Sequence, residues 1–345
     1  MKIFVDGIIY SLQASGGVSV YFSELIRFLS RQKQLELSVD LFEPCIARGI
    51  DDIKTSHFTQ FKRSRWQERY RSCQGSNDLD VFHSTYYRRP ANSSMPTVVT
   101  VHDFIYERYQ RGPRQLVHTA QKNAAIRAAQ AVICISESTK QDLLEFVGRT
   151  PGQKIYVIHN GVADIFKDLR LESSVTPFVL FVGQRAGYKN FCMALAAMEF
   201  LPDFELQCVG GGPILPEELK GVSDSVVTRV RHLGFVSDEE LNVLYNRALC
   251  LVYPSSYEGF GIPVIEAMRA GCPVVSTDCK AVLEVGRDAL TVVTERDPRA
   301  IANAILNTTS STRESLIQKG LAVAQTYSWD TTHRQTLEVY SSLSI

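Results

Sequence analysis

Residues 253–271 read Tyr-Pro-Ser-Ser-Tyr-Glu-Gly-Phe-Gly-Ile-Pro-Val-Ile-Glu-Ala-Met-Arg-Ala-Gly. Two carboxylates, Glu258 and Glu266, stand there with seven residues between them, across a glycine-rich turn. Pro263 suits the first helical position, where a missing N–H costs nothing. Gly271 followed by Pro273 then stops the helix. This reading puts Glu258 on a loop and Glu266 in the first turn of the helix behind it. The N–H groups and positive dipole end of that helix favour a phosphate. Carboxylates on either side of a phosphate-sized hole do little for stability. They suit a ligand with hydroxyls at both ends and negative charge in the middle, the layout of a nucleotide-sugar.

Cations of the right kind lie upstream. A strand over 178–182 runs into Gly183-Gln184-Arg185-Ala186-Gly187-Tyr188-Lys189-Asn190. Arg185 can hold phosphate bidentately and Lys189 can act as a point charge. As a lone pair they would be solvated charges on a loop, but beside the 261–263 helix start they read as diphosphate ligands. Gly210-Gly211-Gly212-Pro213 after strand 205–209 reads as a close-approach loop on the base or ribose side. Ser237 and Glu240 form a capping box, with the Val236 backbone a candidate for contact with the nucleobase.

In the front half, Asp6-Gly7 and then Gly16-Gly17 lie between a strand and a helix. A glycine pair lets backbone approach a ligand, and plain turn chemistry accounts for it equally well. The spacing is neither G-x-G-x-x-G nor a Walker A loop, so neither a dinucleotide site nor an NTPase is indicated. Strand 97–101 ends in His102-Asp103, a site for hydrogen bonding to sugar hydroxyls or for stabilising charge near a reacting carbon. His83 at another strand end is a second candidate, with a structural histidine as its alternative. Lys62, Arg63, Arg65, Trp66, Arg69, Tyr70 and Arg71 form a basic, aromatic-containing stretch. It reads either as a solvated helix or as a face for anionic lipid or a diphosphate-linked acceptor.

These residues need a scaffold, and 345 residues exceed one ordinary core, so two domains are expected. Apolar residues make up 45% and charged residues 21%, as in a soluble globular protein. Net charge is zero, but residues 1–165 carry 21 Lys and Arg against 16 Asp and Glu. That excess is too small for a dedicated nucleic-acid binder. Eight cysteines without a C-x-x-C pair read as reduced and buried, pointing to a cytoplasmic protein. No 18-residue apolar run occurs, so neither signal peptide nor membrane span is expected. Short apolar runs at 3–5, 38–42, 81–83, 97–101, 131–135 and 155–158 alternate with helical patterns such as 18–32, 114–129 and 138–147. A second series follows at 178–182, 205–209, 230–233, 250–253 and 273–276. Near-continuous apolar strands separated by helices imply parallel sheets covered on both faces. The predicted fold is therefore α/β with two doubly wound, Rossmann-like domains facing across a cleft, 1–165 and 166–327. The amphipathic segment 328–345 either caps the second domain or crosses back to the first.

With these pieces in place the chain resembles the GT-B-fold retaining glycosyltransferases of family 4. The resemblance rests on Gly16-Gly17, Val101-His102-Asp103, Ile135-Ser136-Glu137-Ser138, Asn160-Gly161-Val162, Gly183 through Asn190, Glu258 through Glu266, and Tyr327-Ser328-Trp329-Asp330. It implies that Arg185 and Lys189 neutralise the diphosphate leaving group. Glu258, with the backbone of Gly259, Phe260 and Gly261, would hold the donor sugar and phosphate. Glu266 would take the ribose hydroxyls, and His102 would line the donor sugar. The motif flavour is similar to bacterial mannosyltransferases of O-antigen and surface-polysaccharide synthesis. That favours GDP-mannose as donor over UDP-sugars, no metal, and a saccharide or undecaprenyl-diphosphate-linked acceptor. It also suits peripheral contact of the basic front-domain face with the inner membrane. A nucleotide-sugar epimerase and a non-catalytic transferase-like scaffold are the competing readings.

Overall fold

The computed structural model describes residues 1–14, 16–46, 58–61, 65–74, 78–171, 176–185, 187–309 and 311–343. They form two compact units, Met1–Gly161 with Trp329–Ile345, and Val162–Ser328. Lys62 and Arg63 of the basic stretch lie outside the described residues.

In unit 1 the strands are β1 (Lys2–Asp6), β2 (Glu36–Phe42), β3 (Phe58–Phe61), β4 (Val81–Ser84), β5 (Thr97–Val101), β6 (Ala131–Cys134) and β7 (Lys154–Val157). They pair in parallel in the order β3-β2-β1-β4-β5-β6-β7. β1, β4, β5 and β6 are buried along nearly their whole length, as expected of a parallel sheet covered on both faces. The helix Gly17–Leu29 buries Tyr21, Phe22, Leu25, Ile26 and Leu29 at helical spacing against this sheet. The last helix, Trp329–Ser341, joins the same core through Trp329, Val339 and Tyr340. It is also pinned by hydrogen bonds. Thr332 Oγ1 donates to the His159 carbonyl at 2.7 Å, and Tyr340 Oη meets His83 Nδ1 at 2.5 Å.

Unit 2 restarts the pattern with β8 (Phe178–Val182), β9 (Glu205–Val209), β10 (Val230–Gly234), β11 (Cys250–Tyr253), β12 (Val274–Thr277) and β13 (Leu290–Val293). These are parallel in the order β10-β9-β8-β11-β12-β13. The polar stretch leading in is tied to this unit. The backbone N–H groups of Lys167 and Leu169 donate to the side chains of Asn242 and Asn246 at 3.0 and 2.6 Å.

In each sheet the strand order reverses beside the first strand, between β1 and β4 and between β8 and β11. Loops leaving the carboxyl ends at such a reversal diverge and leave room for a ligand. Two strands escape the sequence reading, β3 and β13. The first has only four residues, Phe-Thr-Gln-Phe, and the second is Leu-Thr-Val-Val with Thr291 half-buried and Val292 exposed. None of the eight cysteines forms a disulfide. Six are buried, Cys45 is half-buried, and Cys192 is exposed, which corrects the expectation that all are buried. Among the described residues no helix is long and apolar enough to cross a membrane.

Candidate active site

Unit 2 brings Lys189 and Glu258 together at its strand-order reversal. Lys189 ends the short turn Gly187–Lys189 after β8, and Glu258 follows β11. Because β8 and β11 pair side by side, loops 69 residues apart become neighbours. Asn190 locks them. Its backbone is left-handed (φ 51°), and its Nδ2 donates to the Pro254 carbonyl at 2.8 Å and to Ser256 Oγ at 2.7 Å. The Ser256 N–H closes the clasp on the Tyr188 carbonyl at 2.8 Å. Lys189 Nζ then donates to Glu258 Oε1 at 2.5 Å and to Tyr253 Oη at 3.1 Å, with its ammonium 5.0 Å from the Tyr253 ring centre. Only 8% of Glu258 is exposed. A largely desolvated ion pair of this kind is specific in geometry and costly to break from one side.

The helix behind the turn runs Ile262–Arg269 with Gly261 (φ 106°) as its N-cap, and no side chain caps it. Pro263 is therefore its second residue and not its first, a shift that keeps Pro inside the first turn where no N–H is needed. Glu266 consequently falls in the second turn, which corrects the first-turn placement. Its Oε2 accepts from Tyr245 Oη at 3.0 Å. Desolvation pushes its carboxyl up to about 7, opposed by the Tyr245 hydrogen bond. The helix ends in a Schellman motif. The Cys272 N–H bonds the Ala267 carbonyl, the Gly271 N–H bonds the Met268 carbonyl, and Gly271 is left-handed (φ 74°). Phe260, 3% exposed, anchors the turn edge-on against Tyr327. Gly259 lies between it and Glu258.

Arg185 goes the other way. It leaves β8 toward β9, and its guanidinium is spent on protein groups. Nε donates to Glu218 Oε1 at 2.8 Å, Nη1 to the Gly210 carbonyl at 3.2 Å, and Nη2 to the Gly212 and Pro213 carbonyls at 2.7 and 3.0 Å. The structure thus corrects the expectation that Arg185 and Lys189 form one cationic clamp. Here Arg185 staples the Gly210–Pro213 loop. Gly211 (φ 70°) makes that fit possible, since a Cβ there would stand 2.8 Å from Arg185 Nη1. Gly183 (φ 124°) and Gly210 (φ 83°) make the strand-end turns that abut it. Gly211→Ala is expected to destabilise unit 2 by about 1–2 kcal/mol through the left-handed backbone, plus the displaced guanidinium. Calorimetric unfolding checks this, and the part due to the clash disappears in an Arg185→Ala background. Val236 is half-buried just before the Ser237 cap, whose capping box is formed at 2.7 and 3.2 Å.

In unit 1, His102 is 9% exposed and lies edge-on to Tyr21 and Phe22. Burial, with a smaller effect from Lys122, lowers its pKa to about 3, so the imidazole is neutral. Its Nε2 is buried with no protein partner. His333 shares that property, but it stacks on Trp329 inside the core, whereas His102 sits at a strand end. Asp103 Oδ1 accepts from the Ile105 N–H at 3.0 Å and its carbonyl takes Lys122 Nζ at 2.6 Å. Its carboxylate thus makes a local turn contact with the first residue of the helix Ile105–Tyr109. His83 is the structural alternative, held between Tyr340 and Thr100. Gly16 is extended (φ 161°) and Gly17 begins its helix. A Cβ on Gly16 would meet the Gln13 side chain at 2.3 Å, and that amide accepts from the Ser19 N–H at 3.2 Å. Gly16 therefore leaves room for the Gln13 side chain, which takes an N–H of the helix's first turn.

Sequence reasoning did not assign Asn190, Tyr253, Tyr245 or Glu218. Asn190 carried the one usable signal, an Asn directly after a strand-end turn, where the left-handed region is tolerated.

Two doubly wound parallel sheets, the second with a lysine–glutamate pair at its strand-order reversal and a helix start beside it, define a protein of two Rossmann-like units. Residues 15–164 match the model of Glycosyltransferase Family 4 and residues 176–311 that of Glycosyl transferases group 1. The chain belongs to this glycosyltransferase family. O-antigen chain mannosyltransferase B of Escherichia coli is 28% identical over 297 residues, 76% of this chain and 74% of the relative. Sucrose-phosphate synthase from Thermosynechococcus elongatus superposes with a TM-score of 0.77 at 21% identity, over 99% of this chain and 98% of that one. Anabaena HepE, solved with UDP-glucose, gives a TM-score of 0.71 at 16% identity, over 99% and 100%. These likenesses establish the GT-B fold.

Proposed function

We propose that the protein transfers a hexosyl group, with retention of anomeric configuration, from a nucleotide-sugar to a glycan or lipid-linked saccharide. Mannose from GDP-mannose is the favoured donor. The observation that carries this reading is the Lys189–Glu258 pair at the β8–β11 reversal. Glycosyl transfer passes through an oxocarbenium-like state while negative charge builds on the departing phosphate. Lys189 and the start of the 262–269 helix meet that charge as it forms. Glu258 keeps Oε2 for sugar hydroxyls, while Oε1 orients Lys189. His102, neutral and with an unpartnered Nε2, is the unit 1 group assigned to sugar hydroxyls. Among the described residues no carboxylate is assigned as a covalent nucleophile, and the reading is front-face transfer assisted by the leaving phosphate. The mannosyl choice is supported by the name of the O-antigen relative. HepE, solved with UDP-glucose, keeps a UDP-sugar as the second reading.

A thermal-shift panel of GDP, UDP, dTDP and ADP with their sugars tests the donor. The expected result is stabilisation by GDP and GDP-mannose alone. Isomerised sugar without acceptor would indicate an epimerase, and binding without turnover across a broad acceptor screen would indicate a scaffold.

Glu266 supplies a pH signature. As the acceptor for two ribose hydroxyls it must be ionised, yet desolvation holds its pKa near 7. Nucleotide binding therefore releases a proton. Affinity is expected to weaken as pH falls below about 7, up to roughly tenfold per unit, and to level off above it. Titration calorimetry in buffers of different ionisation enthalpy checks this. Glu266→Gln should bind more weakly and with no pH slope; an unchanged slope removes Glu266 from the ribose.

A further inference from the structure

Tyr253 is the last residue of β11 and is 2% exposed. Its three predecessors in the strand, Cys250, Leu251 and Val252, are buried in the core. Packing alone would be served as well by Phe. A hydroxyl taken out of water needs a partner, or it costs stability. Here the partner is the ammonium of Lys189, which donates to Tyr253 Oη at 3.1 Å. Burial, followed by the Glu258 carboxylate, holds the phenol pKa well above its ordinary value. The group therefore keeps its proton and stays a neutral acceptor for Lys189.

The consequence lies in the geometry of the ammonium, which carries three N–H donors. Among the described residues one goes to Glu258 Oε1 at 2.5 Å and a second to Tyr253 Oη. Two fixed legs leave the third N–H a single direction. Held by Glu258 alone, the ammonium would turn about one bond and that direction would be lost. The lysine side chain is 12% exposed, so the remaining N–H has little water to turn to. The ring of Tyr253 has a second neighbour. A Cβ on Gly261, the N-cap of the helix Ile262–Arg269, would stand 4.0 Å from Tyr253 Cε1. The same side chain thus lies against the helix start whose N–H groups favour phosphate.

We propose that Tyr253 is a positioning residue for glycosyl transfer. Its hydroxyl aims the remaining N–H of Lys189 at the departing phosphate, and its ring supports the helix start beside it. The inference rests on the transferase reading.

Two substitutions separate the two roles. Tyr253→Phe keeps the ring and removes the hydroxyl; Tyr253→Leu removes both. Release of nucleoside diphosphate from GDP-mannose and from UDP-glucose, with water as acceptor, is measured on the full chain. Calorimetric titration with GDP and UDP and the unfolding midpoint are read beside it. Tyr253→Phe is expected to lower kcat about tenfold, the scale of one charge-assisted hydrogen bond. KM and nucleotide affinity should stay within about twofold of the parent, as for a contact made only in the transition state. Tyr253→Leu should weaken nucleotide binding as well, because the helix start loses its support. In a Lys189→Ala background there is no ammonium to aim, and Tyr253→Phe should change the residual rate by less than about twofold.

An unchanged kcat in Tyr253→Phe overturns the inference. So does a fall in kcat matched by equal falls in nucleotide affinity and unfolding midpoint, which marks a structural role. A full tenfold loss repeated in the Lys189→Ala background overturns it too, because the hydroxyl would then act without the lysine. Lost turnover in Lys189→Ala beside an unaffected Tyr253→Phe removes the inference and leaves the transferase reading standing. Neither binding nor turnover of either donor by the parent protein removes that reading, and the inference with it.

Discussion

Lys189→Ala is expected to lower turnover by roughly 100-fold or more, the scale on which loss of one preorganised donor to developing charge is felt. The same change strands Glu258, which is 8% exposed and loses its 2.5 Å partner. A stability cost will therefore accompany the kinetic one, and the two must be separated. The double variant Lys189→Ala/Glu258→Gln does so. Replacing the orphaned carboxylate by a neutral amide restores most of the stability, because Tyr253 Oη still offers a partner. It does not restore a cation opposite the leaving phosphate, so turnover stays low. Steady-state kinetics with the donor identified by thermal shift, read beside the unfolding midpoint, gives both quantities. Near-wild-type turnover in a folded Lys189→Ala protein would end the leaving-group role. Arg185→Ala should behave differently. Its guanidinium holds the Gly210–Pro213 loop, so the loss appears first in donor affinity.

The second large effect is on folding. Arg88, Asp6 and Glu68 form a buried ionic triad in unit 1, with side-chain exposures of 2%, 0% and 4%. Burial raises the Asp6 pKa against the pull of Arg88, so the arginine compensates a strongly desolvated carboxyl. Arg88→Met leaves the buried Asp6 without a cation and Glu68 with only the exposed Arg71, 3.4 Å away, and is expected to cost about 3–5 kcal/mol. The affected quantity is the unit 1 transition in urea or calorimetry, since two units need not unfold together. The sign with pH follows. Without Arg88 the buried Asp6 carboxyl titrates still higher in the folded state than in the unfolded one. The variant therefore binds more protons folded and regains stability as pH falls from neutrality toward the unfolded carboxylate range. The triple variant Arg88→Met/Asp6→Asn/Glu68→Gln should recover most of the loss at neutral pH. A single variant within 1 kcal/mol of the parent would show that the triad is not a structural unit.

Much of this was legible in one dimension. Eleven of the thirteen strands named above announce themselves as short stretches rich in apolar residues, most plainly the central ones such as β5, β8 and β11, where helices on both faces of a parallel sheet leave every position buried. The Ser237–Glu240 cap and the Gly271 stop depend on residues within a few positions of each other, and such local hydrogen bonding is written in sequence order. Glu258 and Lys189 stood out by residue type and by their places after strands. Their pairing did not, because it depends on β8 and β11 being neighbours, which is a matter of strand order. The same is true of Arg185. Sequence put it four residues from Lys189, but a strand has two neighbours, and Arg185 turned toward β9 while Lys189 turned toward β11. The helix at Trp329–Ser341 was plainly amphipathic, and which core it would enter stayed open until Tyr340 was seen on His83. Asp6, Glu68 and Arg88 looked like unrelated charges, and only folding put them within hydrogen-bond reach. Composition and periodicity thus determined the elements, their caps and the kinds of side chain available for chemistry. The tertiary structure decided which of those side chains meet, because contact across a sheet is set by topology and desolvation, and neither is a local property of the chain.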